Sequence, residues 1–156
     1  MKKGIMLSKM LVIATNAHAG VFDKGGAPYI LHPLKVMHYL KTDDEEMHCG
    51  ALGHDLFEDT MVTAHTLREE GISERVINMI TRVTKVDGET EEEYEAKVLG
   101  SIDSIKLKMA DLRHNSDIRR MKSKGDITEK DIKRTIRYMR FYDKLEGALL
   151  KNESKG

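Results

Sequence analysis

The sequence predicts an all-α fold, a bundle of helices, and three observations predict it. Apolar residues recur at helical spacing, as in Val76, Ile77, Ile80 and Val83, or in Ile132, Ile136, Met139, Leu145 and Leu149. No segment shows the apolar–polar alternation of a half-buried strand. Proline, which interrupts helices by removing a backbone donor, occurs only at Pro28 and Pro33.

The elements follow in order. A first helix is predicted from Leu7 to about Ala19, with Met10, Leu11, Ala14 and Ala17 on one face and Gly20 as its stop. Asp23 to Pro28 has turn chemistry. Pro33 fits the first turn of a second helix, to Leu40, because its missing N–H is not needed there. The residue before a proline is biased away from helical backbone, which places His32 at the mouth of that helix. Asp43 or Asp44 caps a third helix running to about Phe57. Thr63 caps a short one ending at Gly71, and Ser73 opens a fifth. Lys85 to Glu89 reads as a loop, after which Thr90 and Glu93 have capping-box spacing. Ser101 or Asp103 starts a helix through Ile105, Met109 and Leu112. Thr128 caps the last, at about 128–150, whose apolar stripe could pack inward or against a second copy of the chain.

At 156 residues the chain is expected to form one domain, residues 1–156, large enough to bury a core without disulfides. Cys49 has no partner cysteine, which points to a reducing compartment and a small core residue rather than a nucleophile. Met10 to Ala14 is too short for a signal core, and no apolar run approaches the roughly 20 residues that span a bilayer. A cytoplasmic protein with no membrane association is expected. Formal net charge is zero, which argues against binding a nucleic-acid polymer. Residues 101–156 nevertheless carry 15 Lys+Arg against 9 Asp+Glu. These cations form either a solvated helix face or one wall of a groove for a polyphosphate.

Two segments carry chemistry. At about 100° per residue, His54, Asp55, Glu58 and Asp59 fall within an arc of about 140° if one helix carries them all. Their setting is apolar (Ala51, Leu52, Leu56, Phe57), and a His–Asp pair in a buried helix needs partners, which one metal ion supplies to both. Lys108, Asp111 and Asn115 lie within about 60° on another helix, although a surface carboxylate paired with a lysine would give the same pattern. With His32, the set His32, His54, Asp55 and Asp111 offers two imidazoles and two carboxylates to one divalent ion. Manganese, iron and zinc all accept such a set. Glu58 and Asp59 would then be the proton-handling pair of a metal-assisted hydrolysis. His18 reads as a helix-terminal hydrogen bonder, His114 as structural, and His38, His48 and His65 as surface or core-edge residues.

Ala17-His18-Ala19-Gly20, Lys24 to Pro33, His54-Asp55-Leu56-Phe57-Glu58-Asp59-Thr60, Val83-Thr84-Lys85 and Lys108-Met109-Ala110-Asp111 with His114-Asn115 carry a resemblance. Together they resemble the HD-domain hydrolases of the RelA/SpoT type, specifically the small stand-alone alarmone hydrolases. The resemblance implies an HD-domain helical bundle around one metal, usually Mn2+, with Fe2+ or Zn2+ as alternatives. It implies His32, His54, Asp55 and Asp111 as metal ligands and Glu58 and Asp59 as the catalytic pair. Lys24, Lys108 and Asn115 match positions near the nucleotide or its phosphates, and Tyr29 either stacks on a base or packs beside Pro28. The implied reaction removes pyrophosphate from the 3′ position of guanosine tetra- or pentaphosphate, a small-molecule partner, and no synthetase activity is expected. Many relatives have Gln and Arg in the loop before the lysine, the arginine holding the base; here Val21 and Asp23 stand there. That difference keeps open an HD-type phosphatase acting on another nucleotide, such as NADPH or a nucleoside monophosphate. A non-catalytic nucleotide sensor is the third alternative, and the complete ligand set speaks against it.

Overall fold

The computed structural model describes residues 2–122 and 125–155. Among them are ten helices: α1 (Ile5–Ala17), α2 (Leu31–Tyr39), α3 (Glu45–Gly53), α4 (Leu56–Asp59), α5 (Ala64–Glu69), α6 (Glu74–Val83), α7 (Glu91–Leu99), α8 (Ile102–Asn115), α9 (Ile118–Lys122) and α10 (Glu129–Lys155). The only β-type pairing among the described residues is an isolated bridge between Phe22 and Pro28. No helix among them is long and apolar enough to cross a membrane.

Side-chain caps set most of the helix starts. Asp44 accepts hydrogen bonds from the N–H groups of Glu46 and Met47 and opens α3. Thr63, Ser73, Thr90 and Ser101 each accept from the N–H three residues on, satisfying a donor that the helix itself leaves unpaired. Asp44 and Ser101 are therefore the working caps where the sequence offered alternatives.

The core has three parts. Met10 and Ala14 of α1 meet Cys49 and Leu52 of α3, Leu56, and Ile80 of α6. Val36, Met47, Met79 and Leu107 join α2, α3, α6 and α8. Tyr94, Val98, Ile105, Leu112 and Leu145 join α7, α8 and α10. Helix α3 packs on α1, α2, α6 and α8, and α8 packs on α2, α3, α6, α7 and α10. The approach of α3 to α6 depends on Gly50, where an added Cβ would sit 2.1 Å from the Met79 sulfur. A well-packed core has no room for that without displacement.

Four departures from the expected elements matter. The third helix does not run to Phe57: it ends at Gly53, His54 and Asp55 form a turn, and α4 follows as one turn. The cause is local, because the His54 ring nitrogen Nδ1 bonds to the Ala51 carbonyl at 2.7 Å and Asp55 adopts φ −102° and ψ 0°. His32 lies inside the first turn of α2 rather than at its mouth. Its N–H bonds to the Tyr29 carbonyl at 2.9 Å, so the turn overrides the bias imposed by Pro33. Helix α9 carried no periodic signal. Finally, the buried face of α10 is Tyr138, Phe141, Tyr142, Leu145, Ala148 and Leu149, which leaves Ile132, Ile136 and Met139 exposed.

Candidate metal centre

The break after α3 and the first turn of α2 bring His54, Asp55 and His32 together, and α8 adds Asp111 from below. The imidazole Nε2 atoms of His32 and His54 are 3.1 Å apart. Asp111 Oδ1 lies 3.0 Å from His32 Nε2 and 3.3 Å from His54 Nε2. Asp55 Oδ2 lies 3.0 Å from His54 Nε2 and 3.7 Å from His32 Nε2. His32, His54 and Asp111 are buried, at 4%, 3% and 5% exposure, so these groups cannot satisfy one another's charge through solvent.

The donor chemistry fits a divalent cation. A carbonyl only accepts, so His54 Nδ1 carries a hydrogen toward Ala51, and a neutral ring then presents its Nε2 lone pair to the cluster. His32 Nδ1 is 2.7 Å from Nδ1 of His114, a contact in which one ring donates, and donation by His32 turns its own Nε2 lone pair inward as well. Two lone pairs at 3.1 Å and two carboxylates need a positive charge between them. The electrostatics show the same demand for positive charge, met on His54 by a proton that a metal ion would displace. Burial opposes a charge on His54, yet Asp55 and Asp111 hold its pKa well above the ordinary histidine value. Burial likewise opposes the Asp111 carboxylate, but Lys108 and His54 hold its pKa well below the usual range.

A ring of supporting contacts fixes these side chains. Tyr29 donates its hydroxyl to Asp55 Oδ2. Lys108 Nζ reaches Asp111 Oδ2 at 2.8 Å, and the Asn115 amide donates to Asp111 Oδ1 at 3.0 Å. Burial disfavours the Lys108 ammonium, but Asp111, and after it Tyr94, outweigh that and raise its pKa. The lysine–carboxylate pairing anticipated as the plain alternative is therefore present, inside the cluster rather than on the surface.

Glu58 and Asp59 are exposed at the rim, and their carboxylate oxygens lie within 4.8 Å of one another and of an Asp55 oxygen. The Lys85 N–H donates to Glu58 Oε1 at 2.6 Å and so orients that carboxylate. Burial, and then the charges of Asp55 and Glu58, raise the pKa of Asp59.

A cavity of about 490 Å³ opens beside the cluster, with Lys24, Tyr29, Asp59 and Asn115 in its wall. All the residues singled out from the sequence thus gather at one end of the bundle. Others were not singled out. Arg120 and Arg134 bring guanidinium groups into the same cavity, and Arg120 reaches Asn115 Oδ1 at 2.7 Å and Asp23 Oδ2 at 3.5 Å. Asp23 is occupied within its own loop by the N–H groups of Gly25 and Ala27. His114, read from the sequence as structural, touches His32 directly. His18 is not the helix-terminal hydrogen bonder expected: it is 3% exposed, its Nε2 has no partner, and its ring lies 4.9 Å from that of Tyr29. Burial holds its pKa below the ordinary histidine value, against the opposing charge of Asp55.

Fold and cluster together define a class: an all-helical domain with a two-histidine, two-carboxylate cluster suited to one divalent cation. Known proteins narrow it. The guanosine-3′,5′-bis(diphosphate) 3′-pyrophosphohydrolase of Haemophilus influenzae is 32% identical over 116 residues, 67% of this chain and 17% of that protein. The protein of the same name from Aquifex aeolicus is 34% identical over 112 residues, 65% of this chain and 16% of its own length. A GTP pyrophosphokinase of Myxococcus xanthus is 31% identical over 126 residues, 70% of this chain and 16% of that protein. The chain therefore spans about a sixth of the length of the curated relatives it matches. A solved metazoan orthologue of SpoT, described as hydrolysing ppGpp and acting in starvation responses, superposes with a TM-score of 0.77 at 20% identity. That match covers 99% of this chain and 95% of the other, and it shows the same all-helical fold. No family model matches the chain. The resemblance to RelA/SpoT-type hydrolases read from the motifs is borne out by these relatives.

Proposed function

We propose that this chain is a metal-dependent hydrolase that removes the 3′-pyrophosphate from guanosine tetra- or pentaphosphate, giving GDP or GTP and pyrophosphate. The observation that carries the reading is the convergence of His32, His54, Asp55 and Asp111 at one point, beside Glu58 and Asp59 and open to a cavity of nucleotide size. Those four side chains would hold one divalent ion, Mn2+ by the resemblance, which would supply a Lewis acid and a water of lowered pKa. Glu58, held by the Lys85 N–H, and Asp59 orient the attacking water and take its proton. Water adds to the phosphorus attached at the ribose 3′ oxygen, the bond to that oxygen breaks, and the oxygen leaves with a proton. Lys108, buried and held charged by Asp111, offsets charge on the phosphate oxygens. Lys24, Tyr29 and Asn115 line the nucleoside cavity. The guanidinium groups of Arg120 and Arg134 stand in that cavity, where the loop itself offers Val21 and Asp23. Arg120 is held there by Asn115 and Asp23 and Arg134 by Asp131 at 2.6 Å, so both guanidinium planes are fixed beside the position of the base.

Incubating the purified protein with Mn2+ and guanosine tetraphosphate tests the reading. GDP and pyrophosphate are expected, with loss in Asp55→Ala. A nucleotide panel run alongside, including NADPH and nucleoside monophosphates, overturns the substrate assignment if another member is turned over in preference.

A further inference from the structure

We infer that the groove between α7 and α10 is a pyrophosphate-binding subsite whose cationic wall is Arg137 and Arg140. This rests on the proposed activity for its role as the leaving-group site, though not for the binding itself. The groove encloses about 750 Å³ and has Asp55, Glu58 and Lys108 in its lining, so it starts at the cluster on the side away from Lys24 and Asn115. Tyr138 borders both this groove and the nucleoside cavity. A substrate that straddles the cluster therefore has one half in each.

The two halves differ in chemistry. The first cavity offers the rings of Phe22 and Tyr29 and the Asn115 amide, which suit a base and sugar. The second is richer in cations, and most of them are committed. Lys85 is paired with Glu91, Lys144 with Glu95 at 2.7 Å, and Lys108 with Asp111 at 2.8 Å. Arg137 and Arg140, three residues apart on α10, have no ion pair among the described residues, and both are exposed to the groove. Adjacent positions of this kind lie on one helix face, where two guanidinium forks can grip one dianion. Pyrophosphate is a small, multiply charged ligand with no ring to stack. The first cavity also has guanidinium groups, but Arg120 is engaged by Asn115 and Asp23 and Arg134 by Asp131, whereas those of Arg137 and Arg140 in the second carry no ion pair among the described residues. In the proposed reaction pyrophosphate is also the fragment released, so the groove gives it a path from the cluster to solvent.

Calorimetric titration of Mn2+-loaded protein with inorganic pyrophosphate, and separately with GDP, tests this. The double variant Arg137→Gln/Arg140→Gln should bind pyrophosphate about tenfold or more weakly than wild type, with GDP binding unchanged. The charge-keeping variant Arg137→Lys/Arg140→Lys should recover most of the affinity. Unchanged pyrophosphate binding in the glutamine variant overturns the subsite, as does failure of wild type to bind pyrophosphate. An equal loss for GDP overturns the assignment to the leaving group, because GDP carries only the 5′ diphosphate. Absence of guanosine tetraphosphate turnover by wild type would refute the proposed activity while leaving this binding result to stand by itself.

Discussion

Two neighbouring carboxylates at the rim, Glu58 and Asp59, are separated by their surroundings. Glu58 has one oxygen engaged by a backbone N–H, whereas Asp59 is pushed toward its protonated form by burial and by the charges of Asp55 and Glu58. Neither contacts the centre of the cluster, where His32, His54, Asp55 and Asp111 meet. Their roles are therefore separable from metal retention. Glu58→Gln and Asp59→Asn are each expected to lower turnover by about 10²–10⁴-fold, the range of a lost general base. Both should retain Mn2+, so steady-state kinetics and elemental analysis on the same preparations check the two halves of the claim. Loss of the metal together with the activity would place these residues among the ligands instead.

At the scale of elements, the caps and the interruption after α3 determine where the functional side chains end up. Asp44 caps α3 and pairs with Arg75 at 2.9 Å. Burial opposes its charge, and hydrogen bonds from Arg75 and from the Met47 and Glu46 N–H groups outweigh that, so its folded pKa lies below the ordinary 3.8. A carboxyl depressed in the folded state stabilises fully above its unfolded pKa and loses that contribution as acid titrates the folded form. Asp44→Ala should therefore cost about 1 kcal/mol at neutral pH by urea unfolding. The gap from wild type should narrow as pH falls below 3.8. A gap that persists in acid would mean that the carboxylate's charge contributes nothing. The caps at Thr63, Ser73 and Thr90 were legible in the sequence because each rests on one short-range hydrogen bond. The turn at His54–Asp55 was not, since a helical wheel cannot register a side chain that takes the Ala51 carbonyl. Nor could periodicity choose the packed face of α10. Ile132, Ile136 and Met139 keep the helical period, but the aromatic side chains Tyr138, Phe141 and Tyr142 are the ones that fit against the rest of the core. Arg120, Arg134 and Tyr138 enter the cavity by tertiary packing alone, and no spacing in the chain marks them.

Across the whole molecule, α2, α8 and the turn after α3 form a frame that holds two imidazoles 3.1 Å apart, each within 3.7 Å of both carboxylates. On the proposed reading a cation would relieve this concentration of lone pairs, and a ligand that binds only the folded state stabilises that state by mass action. At a hundredfold excess over its dissociation constant, Mn2+ should add about 2.7 kcal/mol, a rise in Tm of about 5–10 °C for a chain of this size. The most direct test is calorimetric titration of the metal-free protein with Mn2+, on wild type and on Asp111→Ala, the ligand furthest in sequence from the others. The predicted result is one ion per chain in wild type, with binding weakened at least about a hundredfold in the variant. Equal affinity in the two proteins, or no binding by wild type, would contradict a single metal centre built from these four residues.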